Sequence, residues 1–481
     1  MTIPRLKRSD DPRPGRGIVH LGPGAFFRAF GAIYTTDAMR AAGGDWGITA
    51  VSLRSATIRD ALVPQGCAYT AVTLAPDQAG HDVIEVINDV LVAPEDPSAV
   101  LDAMADPATQ IVSMTITEKG YCHNPATGEL QFDHPDIQHD LKNAQTPRSA
   151  IGFLVHALAQ RKAAGAGAFT VLSCDNLPDN GSLIRRVVLA FAAELSADLA
   201  TWIATHARFP ATMVDRITPA TTKADIEALT AQTGVLDLAC VVHEPFRQWV
   251  IEDDFVDGSR PAWDAAGAQF VSDVAAFEMM KLRCLNGTHS ALAYLGYLAG
   301  YETIAAAMAD PNIAAFIDRL WTREIIPTVP PPEGTDLARY CADLKARYQN
   351  PAIHHRTWQI AMDGTQKLPQ RLLGTIGDCL DAGRPIHGLA LAVAGWMRYV
   401  GGVDEQGGPI DVRDPLAREL KAISDQGHDP AAKVAGLLAV DAVFPQSLAQ
   451  DRRFSDAVSA AYQDIVSNGV AAAVAKWTRL P

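Results

Sequence analysis

Between Glu278 and Ser290 the chain reads Glu278-Met279-Met280-Lys281-Leu282-Arg283-Cys284-Leu285-Asn286-Gly287-Thr288-His289-Ser290. At the ~100° per residue of an α-helix, Glu278, Lys281, Asn286 and His289 share an arc of about 140° with Leu282 and Leu285. Polar groups set among leucines are costly unless they are satisfied or used. These four types suit one reaction. Taking a hydride from a carbinol carbon requires a base for the hydroxyl proton. A lysine amine serves when burial or a neighbouring cation draws its pKa toward neutrality. Asn amides donate to a developing oxyanion without neutralising that base, and a histidine can orient the substrate. The plainer alternative is an amphipathic helix with a snorkelling lysine and a core histidine. Asn286-Gly287 weighs against it, because both residues cost helix propensity inside an apolar pattern and a broken local rule often marks a site.

Two further clusters carry polar chemistry. Ser173-Cys174-Asp175-Asn176-Leu177-Pro178-Asp179-Asn180-Gly181 follows a strand pattern. Ligands of open α/β sheets bind beyond the carboxyl ends of strands, so Asn176 can face a substrate; a simple Asx turn accounts for the same residues. His354-His355-Arg356 and Trp358 to Arg371 are dense in cations and amides. They suit a carboxylate or several hydroxyls, or equally a solvated turn and helix start.

A cofactor signal lies near the N-terminus. Gly17-Ile18-Val19-His20-Leu21 reads as a buried strand, and Gly22-Pro23-Gly24-Ala25-Phe26-Phe27-Arg28 follows it into a helix expected over Ala29 to Arg40. A glycine pair there allows a tight turn and close backbone approach to a pyrophosphate. The third glycine of the GxGxxG pattern is replaced by Phe27. After the second strand stands Ser52-Leu53-Arg54-Ser55 rather than the acid that would hold an adenosine ribose. Arg54 could pair with a 2′-phosphate or simply be solvated, so NAD and NADP both stay open.

Further strand candidates are Trp46 to Leu53, Gln110 to Ile116 and Ala168 to Ser173, with helical patterns such as Ala150 to Ala164 between them. That alternation predicts a parallel, doubly wound sheet. From about Val271 the chain turns alanine- and leucine-rich: Val271 to Leu298, Glu302 to Glu324, Gly388 to Tyr399, Ala431 to Val440 and Phe454 to Trp477. The expected organisation is an α/β N-terminal Rossmann-type domain over residues 1–270 and a mainly α-helical C-terminal domain over residues 271–481. Pro327-Thr328-Val329-Pro330-Pro331-Pro332 is expected as a stiff loop.

Bulk properties narrow the class. The 481 residues are 48% hydrophobic and 20% charged, an ordinary globular composition. A net charge of −14 argues against nucleic acid or anionic membrane as a general partner. Seven scattered cysteines without a CxxC pair point to a reducing compartment and no structural zinc. A cytoplasmic location is expected, because Met1 to Arg16 has no apolar core of a secretory signal and stretches such as Gly388 to Gly395 are too short to span a bilayer. A zinc alcohol dehydrogenase would need Cys and His ligands at suitable spacing, which are not found. A Tyr-x-x-x-Lys pair is not found either; Tyr340 and Lys345 are one residue too far apart.

With Thr115-Ile116-Thr117-Glu118-Lys119-Gly120-Tyr121, Met213-Val214-Asp215-Arg216-Ile217 and Glu244 to Asp253, these motifs resemble the long-chain mannitol dehydrogenase family over nearly the whole chain. The resemblance implies a Rossmann domain, a helical domain and a metal-free site between them. It implies Lys281 as general base, Asn176 and Asn286 as the pair cradling the substrate oxygen, His289 as a substrate-binding residue and Glu278 as a carboxylate gating proton exchange. Asp215 and Lys367 match further residues near the site. The nucleotide is expected on Gly22, Gly24, Ala25, Phe26, Arg28, Arg54, Thr115 and Glu118. Two departures stand out. The glycine motif ends Arg28-Ala29-Phe30 where the family usually has Arg-Ala-His, and Gln359 replaces the arginine of the mannitol-type branch. Gln359 fits a sugar-acid branch in which Arg356 or Lys367 meets the carboxylate. The implied reaction is NAD-dependent interconversion of D-mannonate and D-fructuronate. A mannitol or arabinitol 2-dehydrogenase is the enzyme alternative, and a catalytically dead dinucleotide sensor the non-enzyme one. The expected partner is a small sugar acid or polyol, and the expected state a monomer or weak homo-oligomer.

Overall fold

Apolar runs such as Ile18-Val19 and Ile111-Val112 have no polar alternation, as strands covered on both faces require. In the computed structural model, which describes residues 3–76, 80–125, 127–427 and 429–479, they lie at the centre of a parallel sheet. The chain divides into two units, Met1–Ala275 and Ala276–Pro481.

The strands of the first unit are β1 (Arg16–Leu21), β2 (Gly47–Ser52), β3 (Tyr69–Thr73), β4 (Gly80–Ile84), β5 (Ile87–Val92), β6 (Ile111–Met114), β7 (Thr170–Ser173), β8 (Thr212–Asp215), β9 (Val241–His243), β10 (Gln248–Glu252) and β11 (Gln269–Val271). The main sheet has the order β5-β2-β1-β6-β7, with every neighbouring pair parallel. The chain grows outward from β1 on one side and resumes at β6 on the other, so β1 and β6 flank a topological switch point. Val19 and Leu21 pack into one core with the helix Ala150–Ala163, while Ile18 packs into a second core with Phe27, Phe30 and Tyr34. Smaller sheets, β11-β10-β8 and β4-β3-β9, complete the unit.

The single helix expected over Ala29 to Arg40 is two: α1 (Ala25–Ala29) and α2 (Gly31–Ala42). Phe30 breaks the run at φ −134° and ψ −84°. Its ring sits 5.0 Å from that of Phe26, 5.1 Å from Tyr34 and 5.4 Å from Trp249, so aromatic packing sets the kink.

The second unit is helical. Val271, read as the start of a helical run, instead closes β11, and the helix begins at Ala275. The run to Leu298 is not one α-helix. It passes from Ala275–Met280 through a π-helical segment, Lys281–Gly287, into Thr288–Leu298. Two more π-helical segments occur at Trp321–Ile325 and Pro369–Leu373. Phe454 to Trp477 likewise divides into Arg452–Asn468 and Val470–Thr478 at Gly469, whose φ of +81° suits glycine. The expected proline loop opens with a short 3₁₀ turn, Ile326–Thr328. The helix His387–Val400 is buried almost throughout and centres the unit's core. No helix among the described residues is long and apolar enough to cross a membrane.

Candidate active site

The first unit presents its polar groups at the carboxyl ends of β1, β6 and β7. Gly22 follows β1 at φ +87°, and a Cβ there would run into the Thr115 carbonyl, so glycine is required. Gly24 is exposed, a Cβ on it would meet nothing closer than 3.9 Å, and its N–H donates to the Gly22 carbonyl at 2.7 Å, which closes the turn. Ala25 and Phe26, both half-buried, begin α1 immediately beyond it. The Thr115 hydroxyl donates to the Gly22 carbonyl at 2.7 Å. His20 Nε2 lies 3.0 Å from the Thr115 hydroxyl, and Nδ1 lies 2.8 Å from Ser113 Oγ. Burial pushes the His20 pKa down to about 3, so the imidazole is neutral. Phe27 stacks on that ring with centroids 3.3 Å apart; the missing third glycine is thus a packed aromatic.

Arg28 is buried, and its guanidinium donates to the Pro23 carbonyl at 2.5 Å, while Tyr69 Oη donates to the Arg28 carbonyl at 2.6 Å. Arg28 therefore braces the glycine turn from beneath it. Arg54 is exposed two residues past β2. Glu118 is exposed at the start of the 3₁₀ turn Glu118–Tyr121. A turn that demands Gly22, an exposed Gly24 and a position at the switch point together fit a dinucleotide.

Beyond β7, Asp175 is buried and Asn176 exposed. The Asp175 carboxylate accepts the backbone N–H of Ile116 at 3.0 Å and of Thr117 at 2.8 Å, and the Tyr121 hydroxyl at 2.8 Å. Burial raises its pKa more than these donors lower it. Asp215 ends β8, buried, opposite Gln248 of β10.

In the second unit Lys281 opens the π-helical segment with 8% of its surface exposed, and Asn286 and His289 are exposed by 6% each. Glu278 is half-buried in the preceding helix. Because π-helical bonds run i to i+5, the rotation per residue falls below 100° from Lys281 onward. The shared α-helical arc expected for the four residues does not describe this segment. Its carbonyls are met by side chains: Trp321 Nε1 donates to Cys284 O at 2.8 Å, Thr288 Oγ1 to Cys284 O at 2.6 Å and Tyr348 Oη to Leu285 O at 2.8 Å. A Cβ on Gly287 would lie 2.8 Å from the Arg371 carbonyl, so this glycine lets two π-helical segments touch backbone to backbone. Gly287 therefore has a packing cause.

His289 stacks on Tyr348 with centroids 5.1 Å apart and meets His355 edge-on at 4.8 Å. Burial first, then His355, Arg371, Arg347 and Lys367, holds its pKa well below the ordinary value, so the ring is neutral. His289 Nε2 is buried without a hydrogen-bond partner among the described residues. Lys367 donates to the carbonyls of Ile360 at 3.2 Å and Met362 at 2.5 Å, and Arg371 to Ser290 Oγ at 3.2 Å. Of the two cations expected to meet a carboxylate, Lys367 belongs to this basic group. Arg356 instead faces solvent in an ion pair with Glu302 at 3.5 Å. Gln359 is exposed on the helix Thr357–Ala361. Sequence reasoning passed over Arg347 and Tyr348, which no local pattern connects to the lysine segment, and named Arg371 only as the end of a cation-rich stretch. No cluster of three or more metal-ligating side chains occurs among the described residues.

A glycine turn at a parallel-sheet switch point and a helical unit carrying a buried lysine with amide and imidazole groups define a two-domain dehydrogenase of the Rossmann class. The description "Mannitol dehydrogenase Rossmann domain" matches residues 16–265 and "Mannitol dehydrogenase C-terminal domain" residues 273–466; the chain belongs to the mannitol dehydrogenase family. It is an oxidoreductase acting on the CH–OH group of sugar acids or polyols. It is 47% identical over 470 residues to the D-mannonate oxidoreductase of Escherichia coli, covering 97% of this chain and 96% of that one. It is 40% identical to the mannitol 2-dehydrogenase of Aspergillus fumigatus, covering 96% and 93%. Among solved structures it is similar to the Pseudomonas fluorescens mannitol 2-dehydrogenase ternary complex with NAD and D-mannitol, at a TM-score of 0.89, 40% identity and coverage of 97% and 95%. A substrate-free D-sorbitol dehydrogenase matches at a TM-score of 0.87, 34% identity and 98% coverage of both chains.

Proposed function

We propose that the protein interconverts D-mannonate and D-fructuronate with NAD(H), in the cytoplasm and without a metal. The observation that carries the sugar-acid reading is the buried His289 with His355, Arg347, Arg371 and Lys367 acting on it. Arg347, Arg371 and Lys367 are cations that suit a carboxylate, which a sugar acid brings and a polyol does not. The 47% identity to a D-mannonate oxidoreductase supports the same choice. The nicotinamide, when bound, supplies or accepts the hydride. Lys281 takes the hydroxyl proton of the alcohol, Asn176 and Asn286 donate to the substrate oxygen, and His289, neutral, donates through Nε2. Glu278 passes the proton toward solvent, and Asp215 and Lys367 hold substrate hydroxyls or the carboxylate. Gly22, Gly24 and Thr115 shape the turn for the pyrophosphate, with Ala25, Phe26, Arg54 and Glu118 near the nucleotide. The similarity to mannitol 2-dehydrogenases supports a second reading, polyol to ketose.

The deciding experiment measures kcat/KM for D-fructuronate and D-fructose with NADH and with NADPH. The sugar-acid reading expects D-fructuronate to be favoured by at least ~10-fold, the discrimination of a ~1.4 kcal/mol difference. Faster reduction of D-fructose would replace it with the polyol reading.

A further inference from the structure

We infer that Asp175 is a positioning residue that clamps the loop after β6 to the end of β7 and so sets the nucleotide-side and substrate-side groups of the first unit in register. The inference rests on the reaction proposed above for its kinetic consequences, but its binding consequence stands apart.

The two segments it joins carry different expected duties. One is the stretch from Thr115 to Cys122, which includes Thr115 and Glu118. The other is the turn after β7, in which Asn176 is the next residue after Asp175 itself. Because β6 and β7 are hydrogen-bonded neighbours in parallel register, Met114 opposite Ser173, both segments leave the same edge of the sheet. The Asp175 carboxylate spans them. Oδ2 accepts from Ile116 N–H at 3.0 Å and from Tyr121 Oη at 2.8 Å, and Oδ1 accepts from Thr117 N–H at 2.8 Å. Tyr121 Oη also lies 2.5 Å from Ser173 Oγ, which ties the far end of the loop back to β7.

The loop needs such an anchor. Thr117 stands at φ +63° and ψ 165°, and Cys122 at φ +49°. A β-branched residue at positive φ is a genuine outlier that persists only where its surroundings over-determine it. A carboxylate can satisfy three donors from both of its oxygens. An amide offers one acceptor oxygen, and its NH₂ group would confront an N–H. Aspartate is thus the residue type the loop requires, although no hydride-transfer chemistry falls to it.

The test compares Asp175→Asn and Tyr121→Phe with the parent in the full chain. NADH affinity is read by fluorescence, turnover on D-fructuronate and D-fructose by steady-state kinetics, and the primary isotope effect with 4-deuterated NADH. Asp175→Asn is expected to weaken NADH binding by at least ~10-fold. It should also lower kcat by at least ~30-fold with a larger isotope effect, as displaced reacting groups slow the chemical step. Tyr121→Phe keeps both backbone donors and is expected to lose only ~3-fold in kcat. A merely structural role would lower activity in proportion to the folded fraction. NADH affinity and isotope effect would then equal the parent's, and that result overturns the inference. Should Asp175→Asn fail to fold, Tyr121→Phe decides by the same two readouts. If the parent binds NADH but reduces neither sugar, the reaction reading fails while the NADH-binding comparison still judges Asp175.

Discussion

The glycine turn of the first unit and the lysine segment of the second both break local rules and are both held by partners distant in the chain, but they differ in how much their own residue types reveal. Gly22 stands at φ +87°, its carbonyl accepts from the Thr115 hydroxyl 93 residues on, and a Cβ on it would run into the Thr115 carbonyl. The π-helical segment Lys281–Gly287 is held by donors far away in sequence: Trp321, 37 residues from Cys284, and Tyr348, 63 residues from Leu285. A turn at positive φ announces itself by residue type, because glycine is the residue that such a backbone favours. A bulge specified by distant side chains leaves in the local sequence only the misfit of Asn286-Gly287.

The contrast is sharpest if each region is broken separately. The largest effect is expected from Lys281→Ala, which should lower turnover by at least ~100-fold while NADH affinity is kept, as for loss of a general base. Near-normal turnover would remove Lys281 from the chemistry. The opposite split is expected for Gly22→Ala. Forcing a Cβ toward the Thr115 carbonyl at positive φ costs about 1–3 kcal/mol or more, so both Tm and NADH affinity should fall. Unchanged NADH titrations in that variant would mean that the turn does not meet the nucleotide.

A smaller effect belongs to Tyr348→Phe. It removes one of the donors to the Leu285 carbonyl at a cost of about 1 kcal/mol, and kcat should fall by ~3- to 10-fold without loss of NADH affinity. If the loss appeared in NADH binding instead, the two regions would not be separable in the way described.

The smallest effect is a pH slope in the second unit. Glu324, in the π-helical segment Trp321–Ile325, accepts N–H bonds from Gly388 and Leu389 at 2.8 Å each, at the start of the helix His387–Val400. Burial outweighs those donors and raises its pKa from 4.5 to about 7. The folded chain holds this proton more tightly than the unfolded one. Its stabilisation is therefore complete below pH 4.5 and is lost as pH rises through about 7. Glu324→Gln should flatten the fall of Tm over that window, and an identical Tm profile in parent and variant would exclude Glu324 as its source.

The parallel sheet and helical second unit were legible because burial on both faces makes apolar strands and because alanine- and leucine-rich runs make buried helices. Lys281, Asn286 and His289 were legible as polar residues amid leucines. The 100° arc was not, since a π-helix changes the rotation per residue. The kink at Phe30 escaped for a similar reason: the rings of Phe26, Tyr34 and Trp249 determine it together, and Trp249 is remote in the chain. Arg28 was expected at the nucleotide from the glycine motif it belongs to, and Arg356 as one of two cations that meet a carboxylate. Arg28 instead braces Pro23, and Arg356 pairs with Glu302.

By itself the sequence determined which residues have the right chemistry, because residue type and short-range spacing are properties of neighbouring positions. Only the tertiary structure decided which polar groups are buried, what neutralises them and what they touch. His289 is neutral because of burial and four basic groups, all of them more than fifty residues away in sequence, and Asp175 finds its donors on a different strand's loop. Desolvation and hydrogen bonding act through space, and their sources are not written beside the residues they tune.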